Sequence, residues 1–335
     1  MNIALIYCIY LVLLLTILEL IFEVLYETKT VENTIDINIT TSIKGIAILL
    51  ITISHIAGLG GTRIFTPLGG IGVSIFLFFS GYGITLSAEK KGVKCFWIKR
   101  IIGVYVPYVI IALLISITSY EYNLFDFFRS IVFVKSIVPY SWYLIYLSFW
   151  YLVFWLSFKY DKKQLYVISG AILISFFLMP EIMAEQSLSF PMGMLYAMKK
   201  TELYKKNNFK RSVGLFIIGV LFLAIKQIPK VRTAYEPIMK LIQLCIKLPL
   251  ALFVIFVSFY ILKKYCLDSL RIIGKYSFEI YLIHGYILLM LEQVIYVNNL
   301  IGILTFIVLT GGLSIAFNHV YRRFKVTILN KASAI

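Results

Sequence analysis

The stretch Ser42-Ile43-Lys44-Gly45-Ile46-Ala47-Ile48-Leu49-Leu50-Ile51-Thr52-Ile53-Ser54-His55 decides the class of fold. Its only titratable side chains are Lys44 and His55, and Ile56-Ala57-Gly58-Leu59 extends it. A run of this length and apolarity matches the ~20 residues that an α-helix needs to cross a bilayer. Lys44 and His55 stand eleven positions apart. At ~100° per residue they fall within about 20° of whole turns, so they share one helix face, roughly 16 Å apart along the axis. Ionisable groups inside a bilayer cost roughly 2.5–3.5 kcal/mol on insertion scales, so they mark function or a specific polar contact. The residues alone leave both readings open: a working pair, or a snorkelling lysine and a histidine hydrogen-bonded to a neighbouring helix.

The rest of the chain has the same character. Of 335 residues, 61% are hydrophobic and only 14% charged. Soluble domains carry roughly 45–50% apolar and about 25% charged residues, so a soluble enzyme is excluded, and the high hydrophobicity excludes disorder. Apolar runs predict eleven spans, near 3–25, 43–60, 68–87, 101–119, 140–158, 165–180, 186–198, 212–227, 246–262, 276–292 and 299–320. The run at 186–198 is short and holds Pro191 and Gly193, which predicts a broken or tilted helix. The first run lacks the basic leader and small-residue cleavage site of a signal peptide, so it reads as a membrane helix. The predicted fold is all-α, a polytopic membrane bundle with no fused soluble domain. The longest connections are expected near 120–139 and 228–245.

Lys and Arg total 32 against 16 Asp and Glu, a net charge of +16. Alternate connections, near 29–44, 88–100, 159–163, 199–211, 263–275 and 322–331, hold 24 of the basic residues; the opposite set holds 8. By the positive-inside rule the richer set is cytoplasmic, with the C-terminus inside and the N-terminus outside. The charge is then a topology signal, and no stacking motif points to nucleic acid. Cys8, Cys95, Cys245 and Cys266 lie far apart without ligand spacing, so neither a disulfide framework nor a metal site is expected.

Four further segments carry polar or glycine-rich patterns. Gly69-Gly70-Ile71-Gly72-Val73-Ser74 with Ser80-Gly81-Tyr82-Gly83 permits close helix approach. Phe96-Trp97-Ile98-Lys99-Arg100, followed by Gly103 and Pro107, puts cations and aromatics at an interface, a pattern that also serves plain anchoring. Ser141-Trp142-Tyr143-Leu144 fits an aromatic belt at the outer face. Ser277, Tyr281 and His284 follow i, i+4, i+7 and form a polar stripe that must face the bundle or a cavity. Glu279 points off that stripe, toward an interface, and His319 reads as structural.

Together these segments resemble the acyltransferase type 3 family of integral membrane O-acyltransferases. In order along about 240 residues stand Lys44 and His55 at basic-x10-His spacing, the glycine-rich run Gly72-Val73-x-x-Phe76 to Ser80-Gly81, Phe96-x-x-Lys99-Arg100 with Pro107, Trp142-Tyr143-Leu144, and Tyr281-Leu282-Ile283-His284. Two positions depart from the family pattern: Ser74 stands where Asp is frequent, and Gly103 stands where a second arginine is expected. The resemblance implies a ten-helix core at about 40–325, preceded by an extra helix within 1–30 and followed by a cytoplasmic tail at 326–335. It implies His55 and Lys44 as catalytic, Lys99 and Arg100 as donor-binding, and Ser74, Ser80, Trp142, Ser277, Tyr281 and His284 around the substrate cavity. The activity implied is transfer of an acetyl group from cytoplasmic acetyl-CoA, used as donor substrate rather than resident cofactor, to a sugar hydroxyl of an envelope or capsular polysaccharide or its lipid-linked precursor. The partners implied are acyl-CoA, a glycan or glycolipid acceptor and the lipid of a bacterial plasma membrane. His55 would act as general base or as transient acyl carrier. A transporter of a lipid-linked glycan is the alternative, but the two similar halves such a protein should show are not visible in the sequence.

Overall fold

The computed structural model describes residues 37–59, 61–119, 122–159, 164–199, 206–233, 235–265, 267–294 and 300–333. The span expected at 3–25 lies outside the described residues. All regular secondary structure among the described residues is helical. Among the described residues five helical stretches are long and apolar enough to cross a membrane: Ile37–Leu59, Thr66–Lys91, Phe96–Thr118, Glu236–Leu262 and Leu300–Val326. This is an integral membrane helix bundle, and these five stretches do not by themselves establish a count of eleven spans. The predicted span at 186–198 is a helix of only 10 residues, and the one at 165–180 has 15. At 1.5 Å per residue these reach about 15 and 22 Å, short of a ~30 Å core.

The chain forms two compact units. Of the described residues, one holds those from Ile37 to Gly92 together with those of Leu152–Lys275; the other holds those of Val93–Tyr151 and those from Tyr276 to Ser333. We number the helices in chain order. In the first unit lie α1 (Ile37–Leu59), α2 (Thr66–Lys91), α7 (Gln164–Leu178), α8 (Glu181–Ala184), α9 (Ser189–Met198), α10 (Lys206–Gln227), α11 (Pro229–Arg232), α12 (Glu236–Leu262) and α13 (Asp268–Lys275). In the second lie α3 (Phe96–Arg100), a π-helical turn (Ile101–Tyr105), α4 (Val106–Thr118), α5 (Leu124–Ile131), α14 (Ser277–Val294) and α15 (Leu300–Ser333). Helix α6 (Trp142–Lys159) gives its residues through Tyr151 to the second unit and the remainder to the first.

The first unit is organised by α2, which is buried along most of its length. Pro67 stands in its first turn, where the missing N–H costs nothing. Its last turn carries Lys90 and Lys91 against the negative end of the helix dipole, and Gly92 closes it at φ 64° with its N–H 2.8 Å from the Ala88 carbonyl. Its glycines serve close packing: a Cβ at Gly81 would stand 2.3 Å from the Phe190 carbonyl oxygen of α9, and one at Gly193 would stand 2.0 Å from that of Phe78. Neither crossing accepts a side chain, because backbone occupies the space. Around this contact Ile43, Ile75, Phe78, Ile255 and Phe259 form a core.

Helix α12 corrects the predicted connection at 228–245. It begins at Glu236, so Lys240 lies in a helix rather than in a loop, on the same helix as Lys247. Helix α15 runs 34 residues, past the predicted span and through the residues expected as a tail. In the second unit the Asn123 side chain caps α5, accepting from the Asp126 N–H at 2.9 Å. Lys135 donates to the Asp126 carboxylate at 2.7 Å, and this bond holds the carboxyl below its usual pKa.

Candidate active site

Lys44 and His55 both lie on α1, and both are half-buried. Ser54, one residue before His55, is buried and donates to the Thr66 carbonyl at 3.3 Å. A Cβ at Gly69 would stand 2.9 Å from its Oγ, so the His55 end of α1 is seated against the start of α2. Ser74 is fully buried, and its hydroxyl bonds to the Gln186 side-chain oxygen. The Gln186 amide nitrogen donates to the Gly70 carbonyl at 3.1 Å. Ser80 is half-buried on the same helix.

This end of the unit contains polar residues that the sequence reading did not select. Lys247 of α12 pairs with Glu185, and both are buried. The lysine stem crosses Gly70, where a Cβ would meet its Cε at 2.4 Å. Lys240 is buried too, donating to the Met179 carbonyl at 3.0 Å and pairing with Glu236 at 2.8 Å. Glu236, Lys240, Gln243 and Lys247 follow i, i+4, i+7, i+11. That spacing is the signal that would have revealed a polar helix face, had these residues not been counted as loop charges.

In the second unit Arg100 ends α3 and is half-buried, whereas Lys99 beside it is exposed. The arginine carbon Cζ lies 5.6 Å from the centre of the Phe96 ring and 5.4 Å from that of Tyr151. Such stacking holds a guanidinium by cation–π attraction while leaving its N–H fork available. Its Nε is buried and has no hydrogen-bond partner among the described residues. Arg100 borders a cavity of about 350 Å³ walled by Trp97, Tyr105, Tyr108, Phe133 and Tyr151. Lys99 does not line it.

Two of the three non-glycine residues with positive φ in the described chain, Phe133 (60°) and Tyr140 (61°), contact these candidate groups. Phe133 stacks on Tyr108 at 5.2 Å in the cavity wall. The Tyr140 carbonyl accepts the Tyr281 hydroxyl at 2.6 Å, and its ring stacks on His284 at 5.4 Å and 14°. A left-handed conformation costs an aromatic residue of order 1–3 kcal/mol and persists only where surrounding contacts enforce it. Ser277, Tyr281 and His284 are all buried on α14, so the stripe faces protein as expected. His284 Nδ1 lies 2.8 Å from the Tyr281 carbonyl and 3.1 Å from that of Ile280. The Nδ1–H therefore donates, and the neutral ring keeps its lone pair on Nε2. Trp142 opens α6, half-buried, two residues beyond Tyr140. Glu279 departs from expectation: it is buried and accepts from the Asn318 amide at 2.6 Å. His319 is exposed, with its Nε2 3.2 Å from Arg323.

The first unit thus carries a histidine on an apolar helix and a buried ion pair, and the second carries an arginine stacked on aromatic rings beside a cavity. A family model described as an acyltransferase domain matches residues 41–319. The chain belongs to the acyltransferase type 3 family. The match covers Lys44, His55, Arg100 and His284, every group described above as titratable within a candidate site. No curated protein and no solved structure matches the chain. As a membrane acyltransferase, the protein must bind an activated acyl donor and an acceptor nucleophile, and the two units offer different chemistry for each.

Proposed function

We propose that the chain is a membrane O-acyltransferase that moves an acetyl group from cytoplasmic acetyl-CoA to a sugar hydroxyl of an envelope or capsular polysaccharide or its lipid-linked precursor. It works in a bacterial plasma membrane with its basic connections and C-terminus in the cytoplasm. The observation that chiefly supports this reading is Arg100, whose guanidinium lies over two rings beside a cavity while its Nε has no hydrogen-bond partner among the described residues. A coenzyme A thioester is a polyanion, and a guanidinium meets phosphate oxygens in a bidentate fork. The acceptor hydroxyl is a weak nucleophile at neutral pH. His55 takes its proton as the oxygen attacks the thioester carbonyl; the new C–O bond forms, the C–S bond breaks, and sulfur leaves as the thiolate, which is then protonated. Lys44 serves the inner end of the same helix face.

Deleting the gene should remove O-acetyl signals from NMR spectra of the host's envelope polysaccharide. An unchanged glycan that accumulates as cytoplasmic precursor would favour export instead. Arg100→Ala should raise the KM for acetyl-CoA by about 10- to 100-fold, the value of one or more charge-assisted hydrogen bonds, with acceptor KM unchanged. An unchanged donor KM would return Arg100 to a purely anchoring role.

A further inference from the structure

The π-helical turn after Arg100 is tied to the end of the chain. Its Ile102 carbonyl accepts the hydroxyl of buried Tyr321 on α15. π-turns are rare and concentrate at functional sites, since the extra residue frees backbone carbonyls for other partners. Lys325 lies four residues beyond Tyr321, one helical turn along the same face. Its Nζ reaches position 103: a Cβ built on Gly103 would stand 3.9 Å from it, with no other atom of the described residues beyond the local helix within 4 Å. Gly103 thus leaves a gap in the π-turn, and the lysine from α15 reaches into it.

The local charge does not balance. Lys325 is half-buried and lies within electrostatic reach of Arg100 and of buried Glu279. Glu279 already accepts from Asn318. Among the described residues Lys325 therefore has one carboxylate and one further cation within electrostatic reach, and exposed Lys99 adds a third positive charge next to Arg100. Like charges held together in a partly desolvated place repel unless an anion joins them. A pair that joins one guanidinium fork and one ammonium suits adjacent phosphate oxygens.

We propose that Lys325 is a donor-binding residue, completing with Arg100 a two-cation clamp on the phosphates of the acyl-CoA donor. This rests on the reading of Arg100 as the donor site. Coenzyme A itself, without an acyl group, is the probe, and its affinity for purified full-length protein in phosphatidylcholine nanodiscs is the readout. Lys325→Met should weaken it about 10- to 100-fold. Gly103→Lys added to Lys325→Met puts an ammonium back from the opposite helix and should restore affinity to within a few-fold of wild type. If Lys325 served only as counter-ion to Glu279, then Glu279→Gln added to Lys325→Met would restore affinity by itself, which overturns the proposal. Should Lys325→Met fail to fold, the Glu279→Gln/Lys325→Met protein supplies the uncharged background in which Gly103→Lys must still raise affinity. Wild-type protein that binds no coenzyme A sinks the acyl-CoA reading and the clamp with it. Wild-type binding matched within twofold by Lys325→Met sinks the clamp alone. Loss of retained phosphatidylglycerol on Lys325→Met, with coenzyme A affinity intact, would assign the cation to a lipid headgroup and also overturn it.

Discussion

His55→Ala should lower acyl transfer by about 100- to 10,000-fold, the range that a positioned general base contributes. The side chain is half-buried, and the packing of α1 rests on Ile43, Ala47, Ile48 and Ile51 instead, so membrane insertion and melting temperature should change little. His55→Gln separates chemistry from hydrogen bonding. Glutamine can donate and accept, but it takes up no proton at neutral pH, so this variant should fail as well. Radiolabel passing from acetyl-CoA to the host's de-O-acetylated polysaccharide is the measurement. If His55→Gln retains near-normal turnover, His55 is a polar packing residue and the base must be sought elsewhere. His284 is the first alternative, because its Nδ1 is committed to backbone carbonyls and its Nε2 lone pair can take a proton. His284→Gln would then show the loss.

What the sequence disclosed, and what it hid, follows from the kind of signal involved. The membrane class and the helical register of Lys44 and His55 depend on local apolar runs, which report directly on a bilayer environment. The burial of Ser277, Tyr281 and His284 followed from their i, i+4, i+7 spacing for the same reason. Span counting is least informative where helices are short or polar. The 10 residues of α9 are held by backbone contact with Gly81 rather than by length, and no hydropathy window registers that contact. Lys240 falls in the predicted connection, and Lys247 at the very edge of the predicted span, because charge argues against a span. Their partners Glu236 and Glu185 satisfy that charge, one within the helix and one distant in sequence. Glu279 was placed at an interface for a similar reason, since its partner Asn318 comes from another helix. Lys99 and Arg100 looked equivalent as neighbours, and only the rings of Phe96 and Tyr151 separate them. Tertiary pairing of isolated polar residues is the information a single sequence lacks.

The ion pair of Glu185 and Lys247 carries the largest expected effect on stability. Both groups are buried, at 4% and 8% exposure, and neighbouring Gln186 and Ser74 are wholly buried. Breaking a buried pair by removing one member typically costs about 3–5 kcal/mol, because the remaining charge stays desolvated. The two removals should not be equal. Lys226 of α10 lies within electrostatic reach of both groups. Lys247→Met leaves the carboxylate with Lys226 still near it. Glu185→Gln leaves two ammonium groups facing each other with the nearest carboxylate gone. Glu185→Gln should therefore lower the melting temperature in detergent further than Lys247→Met does. Replacing both by Met removes charge and counter-charge together and should recover most of the loss, since apolar pairs of similar volume often match a buried ion pair. Equal losses in the two single variants would mean that Lys226 does not act on the pair. A double variant no better than the worse single would mean that the charges do more than satisfy each other, for instance by holding a polar substrate at the Ser74–Gln186 contact.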